Sequence, residues 1–308
     1  MKTHWMKRWP LGLLLAAALV CVAAMPGDKV KLRLNLKEGD SFRFKVVVDQ
    51  DIRQTVMGQA QDMVQQIGMG QQFDVLSAAD GVYDVKLTYY WVSYLQDGPM
   101  GRVEYDSDDP PEVIPPMAIG FAALKGRHVV MKIDALGYVQ DIIGIDAMLD
   151  AMVMKFDSLG MTPPPEMKES LKQQFGDEAM KAQMENMMAI YPEEEVGIGD
   201  TWTKEVALKS GMPMTLVNTY RLVGREAGQA QIEVESIVTP SSGDPMEVGG
   251  MTLAYAISGT QQGTMVLDEA NGLPVQANIA QKLSGDVTMN DSMTWPIEIE
   301  STNVVAVE

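Results

Sequence analysis

The chain has 308 residues, a formal net charge of −18 and 25 methionines. So acidic a chain is unsuited to binding nucleic acid or anionic lipid headgroups, because both repel negative surface charge. We interpret the acidic residues as a solvated surface, since they are spread along the whole sequence.

Residues 1–24 have the three parts of an export signal. A basic segment precedes an apolar run at 11–20, and small residues at 22–24 suit a cleavage site. No later segment is apolar over the roughly 20 residues that a membrane span requires. We therefore expect an exported protein of the periplasm or extracellular space. Cys21 offers the alternative of a lipid anchor, although Val20 precedes it where a small residue is usual.

The next part of the chain, 25–145, predicts a first β repeat. Apolar and polar residues alternate from Val30 to Lys37, and again after the Gly39-Asp40 turn, with the period of a half-buried strand. Asp80-Gly81 is a tight-turn signal between two further alternating runs. Aspartates and prolines fill 97–116, so we expect a long loop there rather than a paired strand.

Between 146 and 192 the apolar period changes to that of a helix. The spacing predicts helices at 146–159, 163–175 and 178–191, and methionine dominates the apolar faces of the first and third. Because methionine is flexible and polarisable, these faces suit an adaptable binding surface as well as a core. The predicted ligand-binding side chains are Met148, Met152, Phe156, Met180, Met184, Met187 and Met188.

From 193 to 308 the strand pattern returns as a second β repeat. Gly199-Asp200-Thr201-Trp202 echoes Gly39-Asp40-Ser41-Phe42, and Phe73 and Tyr220 each lie eight residues before the glycine of a later turn. Self-similarity of this kind indicates a repeated unit. We predict a mainly antiparallel β protein whose two meander-like repeats form a curved sandwich or a partly closed barrel. Residues after 24 would form one compact domain with the helical block inserted.

Turn motifs in both repeats carry a resemblance to a known family. They are Lys37-Glu38-Gly39-Asp40-Ser41-Phe42 with its echo before Trp202, and Gly259-Thr260-Gln261-Gln262-Gly263 followed by Leu267-Asp268 and Gly272. In these motifs the chain resembles the exported bacterial "domain of unknown function 6263" family over nearly all residues after 24. The resemblance implies a bacterial envelope location and supplies no catalytic residue.

The sequence has no recognisable catalytic or cofactor motif. His128 is the only histidine after residue 24, and no serine elbow, HExxH, phosphate-binding or dinucleotide-binding motif accompanies it. The acidic run 106–112 lacks the glycine and glutamate of a calcium loop, so we interpret it as a solvated loop. Thioethers could bind copper(I) at three clusters: Met212 with Met214, Met152 with Met154, and Met184 with Met187 and Met188.

Three functions of different classes stay open on these observations. The first is a non-enzymatic protein without cofactor that binds a hydrophobic or lipid-like ligand, or an envelope protein, in a groove covered by the methionine-rich helices. The second is a ligand-free structural or interaction module of the envelope. The third is copper binding through methionine clusters. The sequence does not predict an oligomeric state.

Overall fold

The computed structural model describes residues 29–99, 101–158, 171–172, 175–209, 212–241, 245–248 and 251–308. The predicted export signal and most of the predicted helix 163–175 lie outside these residues. Within them the chain forms one antiparallel sheet of 13 strands and three α-helices, which confirms the predicted fold class. The sheet is curved and not closed. No helix in the described part of the chain is long and apolar enough to cross a membrane.

The elements have the following bounds. The first half of the sheet contains β1 Ser41–Val56, β2 Gln59–Ala79, β3 Val82–Gly98, β4 Gly101–Asp106, β5 His128–Asp134 and β6 Val139–Ile143. The second half contains β7 Thr201–Leu208, β8 Met214–Glu226, β9 Gln229–Pro240, β10 Met246–Val248, β11 Met251–Asp268, β12 Pro274–Met289 and β13 Met293–Val307. The helices are α1 Ile119–Leu124, α2 Ile145–Ser158 and α3 Asp177–Met188.

The order along the sheet is β6-β5-β3-β2-β1-β13-β12-β11-β9-β8-β7, with β4 paired to β3 and β10 to β11. The strands β1, β2, β3, β5 and β6 therefore have the same relative order as β7, β8, β9, β11 and β12. Register agrees as well, since Phe73 pairs with Leu87 as Tyr220 pairs with Val234. The sheet is thus a tandem of two like repeats joined by β13.

The segment 30–37 is not a strand of the sheet, and the prediction of a half-buried strand there is wrong. Its three leucines are buried, as the alternation indicated. Its backbone forms a single antiparallel bridge between Val30 and Val196, and two of its amides donate to the carbonyls of Ala135 and Asn271. Those carbonyls lie in equivalent turns of the two repeats, so the segment ties the repeats together instead of extending the sheet.

The predicted loop at 97–116 is wrong in its first part. Residues 101–106 form β4, which pairs with the end of β3 from Ser93 to Gly98. Pro99 lies in the turn between β3 and β4, and the other prolines begin at Pro110, after the strand has ended, so none of them removes a hydrogen-bond donor from the pairing. These later prolines precede or begin a 3₁₀ turn, Pro116–Ala118, which leads into the short helix α1, and the sequence pattern predicted neither element.

The helices lie on the inner face of the sheet and in the gap between its two edge strands, β6 and β7. The helix α2 agrees with the prediction at 146–159, whereas α3 ends at Met188, three residues before the predicted end at Tyr191. The first two helices pack together, with α1 against β3 and α2 against β5, while α3 packs against both edge strands, β6 and β7. Unpaired strand edges need to be covered, and α3 covers both edges of this sheet at once.

Candidate functional site

A cavity of about 320 Å³ lies between α3 and the inner face of the sheet. Twenty-one described residues line it, and sixteen of them are apolar or aromatic. The walls include Phe44 and Phe73 from the first repeat, and Tyr220, Met265 and Ala277 from the second. The volume lies within the usual range of small-molecule sites, which are mostly apolar with a few placed polar groups.

The polar lining consists of carboxamides alone. The five polar residues among the described lining are Gln183, Asn186, Asn218, Gln261 and Asn303, and no ionisable acid or base is among them. The phenol of Tyr220 is also neutral at physiological pH, since its ordinary pKa is 10 and burial raises that pKa further. A carboxamide both donates and accepts hydrogen bonds, so the cavity can bind an uncharged polar group as well as an apolar one.

The helix α3 separates this cavity from a second pocket. Gln183, Asn186 and Met187 line the main cavity, whereas Ala182 and Glu185 line a pocket of about 210 Å³ between the two sheet edges. We call the gap between β6 and β7 the seam. The helix therefore closes the seam on one side and covers the cavity on the other.

Contacts from both edges hold α3 and the residues after it in the seam. The amide of Val139 on β6 donates to Glu185 Oε1 at 3.1 Å, and Trp202 Nε1 on β7 donates to the Ile190 carbonyl at 2.6 Å. Gly137 has φ +84°, and a side chain there would collide with the Met188 carbonyl. A glycine at this turn thus allows the helix end to approach β6 closely.

Two of the seven predicted ligand-binding residues, Met187 and Met188, line the cavity. The other five are not among its lining: Met148, Met152, Met180 and Met184 are buried in the core, and Phe156 is half-buried. Helical spacing identifies an inward face, but it does not distinguish packing in a core from lining a cavity. The carboxamides of the strands were missed, although Asn218, Gln261 and Asn303 interrupt runs of inward apolar residues and so carried a signal.

The other residues considered from the sequence lie apart from the cavity. His128 is exposed at the start of β5. In the acidic loop, Asp108 accepts a hydrogen bond from Lys125 Nζ at 2.9 Å, and no group of three His, Cys, Asp or Glu residues suited to a metal occurs in the described ranges. Met152 is buried while Met154 is 60% exposed, so these two thioethers do not converge.

Comparison with known protein families identifies the family to which the chain belongs. The model of the family of unknown function DUF6263 matches residues 80–274. The chain belongs to this family. Among curated proteins nothing matches.

Solved structures give only distant likenesses. A lipovitellin structure, described by its lipid–protein interactions, matches at 10% identity and a TM-score of 0.48, over 89% of this chain and 25% of that one. An outer membrane channel from Pseudomonas putida F1 matches at 9% identity and a TM-score of 0.23, over 89% of this chain and 97% of that one. The chain thus spans about a quarter of lipovitellin, and likenesses at these TM-scores carry no functional argument.

Proposed function

We propose that this member of the DUF6263 family is a non-enzymatic, exported envelope protein that holds a hydrophobic, lipid-like ligand between α3 and the sheet. The observation that carries the proposal is the composition of the cavity wall, with sixteen apolar or aromatic residues among the 21 described ones. Burying an apolar ligand surface there is worth about 25 cal/mol per Å² removed from water, before the entropic cost of association.

The position of α3 supports reversible access to the cavity. The strands β6 and β7 are the two edges of the sheet, so a helix between them can move without breaking strand pairing. Its lining residue Met187 is only partly buried, unlike Met152 and Met180 in the core. Flexible methionine at a covering helix suits ligands of varied shape. We propose that ligand enters along the seam when α3 moves outward.

The first test is binding of the neutral apolar dye N-phenyl-1-naphthylamine, measured by its fluorescence, together with native mass spectrometry of protein purified from cell envelopes. The variant Ala277→Trp fills the cavity, and Ala280→Trp places the same side chain on the opposite face of β12. We expect saturable dye binding by the natural chain and by Ala280→Trp, and at least about tenfold weaker binding by Ala277→Trp.

Native mass spectrometry should show a bound mass in the lipid range that organic solvent releases. Absence of dye binding to the natural chain, or equal binding by both tryptophan variants, would overturn the proposal. Such a result would favour the ligand-free interaction module, which calls for a search for protein partners by cross-linking.

A further inference from the structure

A row of polar residues crosses the inner face of the sheet in register. Paired residues on neighbouring antiparallel strands point to the same face, so an aligned series forms a continuous row. The pairings join nine strands through one residue each: Lys204, Asn218, Ser236, Gln261, Gln281, Ser301, Gln50, Gln65 and Gln96. We call this series the polar row. Eight of its nine members are uncharged.

The polar row separates two apolar regions of the same face. On one side lies the main core with its helices and most of the cavity wall. On the other side lies a smaller apolar cluster that includes Leu216, Val238, Leu283 and Ile299, each two residues beyond a row member. Among the described sheet residues that line the cavity, only Leu208 lies beyond the row. The polar row therefore marks one end of the cavity.

Most row members away from the cavity find partners within the protein. Ser301 Oγ donates to Gln281 Oε1 at 3.0 Å, and the Tyr94 hydroxyl links Gln65 and Gln96. These contacts satisfy the polar groups that the sheet buries, as buried polar groups require.

Ser236 is different. Its side chain is only 4% exposed, yet its hydroxyl has no hydrogen-bond partner in the protein. In register it lies between Asn218 and Gln261, and both of these line the cavity. An unsatisfied buried hydroxyl is unfavourable, so a ligand group that supplies the missing hydrogen bond stabilises the complex. Ser236 is not itself among the lining residues, so its orphan hydroxyl lies buried in the polar row between two residues of the cavity wall.

The charge of the row is confined to the seam. Lys204, its only charged member, donates from Nζ to the Tyr138 hydroxyl at 3.2 Å and lies 5.2 Å from the centre of that ring. It lines the seam pocket with Glu185 and Glu205, and it is not among the residues that line the cavity. An anionic headgroup in the cavity would therefore lose hydration without gaining an ion pair, which is strongly unfavourable.

We infer that the cavity selects amphiphiles whose polar group is uncharged and both donates and accepts hydrogen bonds, such as the hydroxyls and ester of an acylglycerol. The inference rests on the proposed function and specifies its ligand class. The polar group binds at Asn218, Ser236 and Gln261, and the apolar chain extends toward Phe44, Phe73 and Met265. The carboxamides of α3, Gln183 and Asn186, complete the polar end from the helix side.

The test uses three compounds with the same acyl chain: monooleoylglycerol, oleate and oleoyl lysophosphatidylglycerol. Each competes with N-phenyl-1-naphthylamine for the full chain at neutral pH, below its critical micelle concentration. We expect monooleoylglycerol to displace the dye at a concentration at least about tenfold lower than either anion, since an uncompensated charge costs more than 1.4 kcal/mol.

Matched serine variants locate the effect. Ser236→Ala should weaken monooleoylglycerol binding about five- to tenfold relative to binding of the dye by the same variant, the value of one hydrogen bond. Ser301→Ala makes the same change in the polar row at a hydroxyl that is already bonded to Gln281, and it should leave both affinities unchanged.

The outcomes separate the two proposals. If the dye does not bind to the natural chain, the proposed function fails and this inference with it. If the dye binds and all three compounds displace it equally, or an anion is preferred, the chain binds lipid but the selection of uncharged headgroups is wrong. Equal effects of the two serine variants would also overturn the role of Ser236.

Discussion

The two repeats share strand order and register, yet they fill their inner faces differently. Three equivalent inward positions carry a larger residue in the first repeat than in the second: Tyr89 against Ser236, Leu87 against Val234, and Val129 against Gly263. In the first repeat all three side chains are buried in the main core. In the second, Val234 lines the cavity. Most of the described strand residues that line the cavity therefore belong to the repeat with the smaller side chains.

The first repeat is also filled from its helix side. The Tyr89 hydroxyl contacts Met180 Sδ at 3.9 Å, and Tyr94 stacks on Phe121 of α1 with ring centres 4.7 Å apart. No α-helix follows the corresponding strand of the second repeat in the described chain, where β9 continues through β10 to β11. A duplicated fold therefore has one half whose inner face is filled and one half that borders most of the cavity, and side-chain volume at a few positions distinguishes the two halves.

The largest expected effect comes from making the first repeat resemble the second. Tyr89→Ser removes a fully buried ring from a packed core, and we expect it to lower the free energy of unfolding by about 3–5 kcal/mol. Urea unfolding followed by circular dichroism measures the change. Tyr90→Ser, on the opposite face of the same strand and half-buried, is the control and should cost less.

The reciprocal variant, Ser236→Tyr, makes the second repeat resemble the first. It should abolish binding of N-phenyl-1-naphthylamine. It should also lower the free energy of unfolding by less than Tyr89→Ser does, because the adjacent cavity can receive the ring. A comparable loss of stability in both variants would show that the second repeat is as tightly packed as the first.

A second difference is expected at alkaline pH. Burial raises the pKa of Tyr89 to about 12 from an ordinary value of 10. The folded state holds this proton more tightly than the unfolded state, so the stabilisation is complete below pH 10 and is lost as pH rises from 10 to 12. Tyr89→Phe should reduce the fall in stability over this interval by up to about 1.4 kcal/mol per pH unit.

Unfolding by urea at a series of pH values from 8 to about 12 measures this slope for the natural chain and the variant. Burial also raises the pKa of Tyr191 and Tyr220, so part of the slope should persist in Tyr89→Phe. An unchanged slope in this variant would contradict the burial of the Tyr89 hydroxyl in the first repeat.

More of the fold than of the candidate site could be predicted from the sequence. Alternation and turn spacing matched Phe73 with Tyr220, and helical spacing located α2 and α3 within a few residues of their ends, because these patterns are local. The size of the space under a strand depends on residues far apart in sequence, such as Ser236 and Met187. The polar row is likewise invisible until strand register aligns its members, so the methionines were predicted as the site and the carboxamides were not.

The smallest expected effect concerns an ion pair that only the second repeat carries. Arg225 bonds to Glu269 through Nε at 2.6 Å and Nη2 at 3.0 Å, whereas the equivalent positions in the first repeat are Ala78 and Ala135. The guanidinium lowers the pKa of Glu269 from its ordinary value of 4.5. We expect Glu269→Gln to lower the free energy of unfolding by about 1 kcal/mol at neutral pH.

The pH dependence gives this prediction its control. Because the pKa of Glu269 is lower in the folded state, the stabilisation is present above pH 4.5 and is lost as pH falls through the folded-state pKa. The natural chain and Glu269→Gln should therefore differ in urea unfolding at pH 7 and converge at acidic pH. If the difference in the free energy of unfolding stays constant down to pH 3, the effect comes from packing of the side chain. The ion pair would then not be a difference in stability between the two repeats.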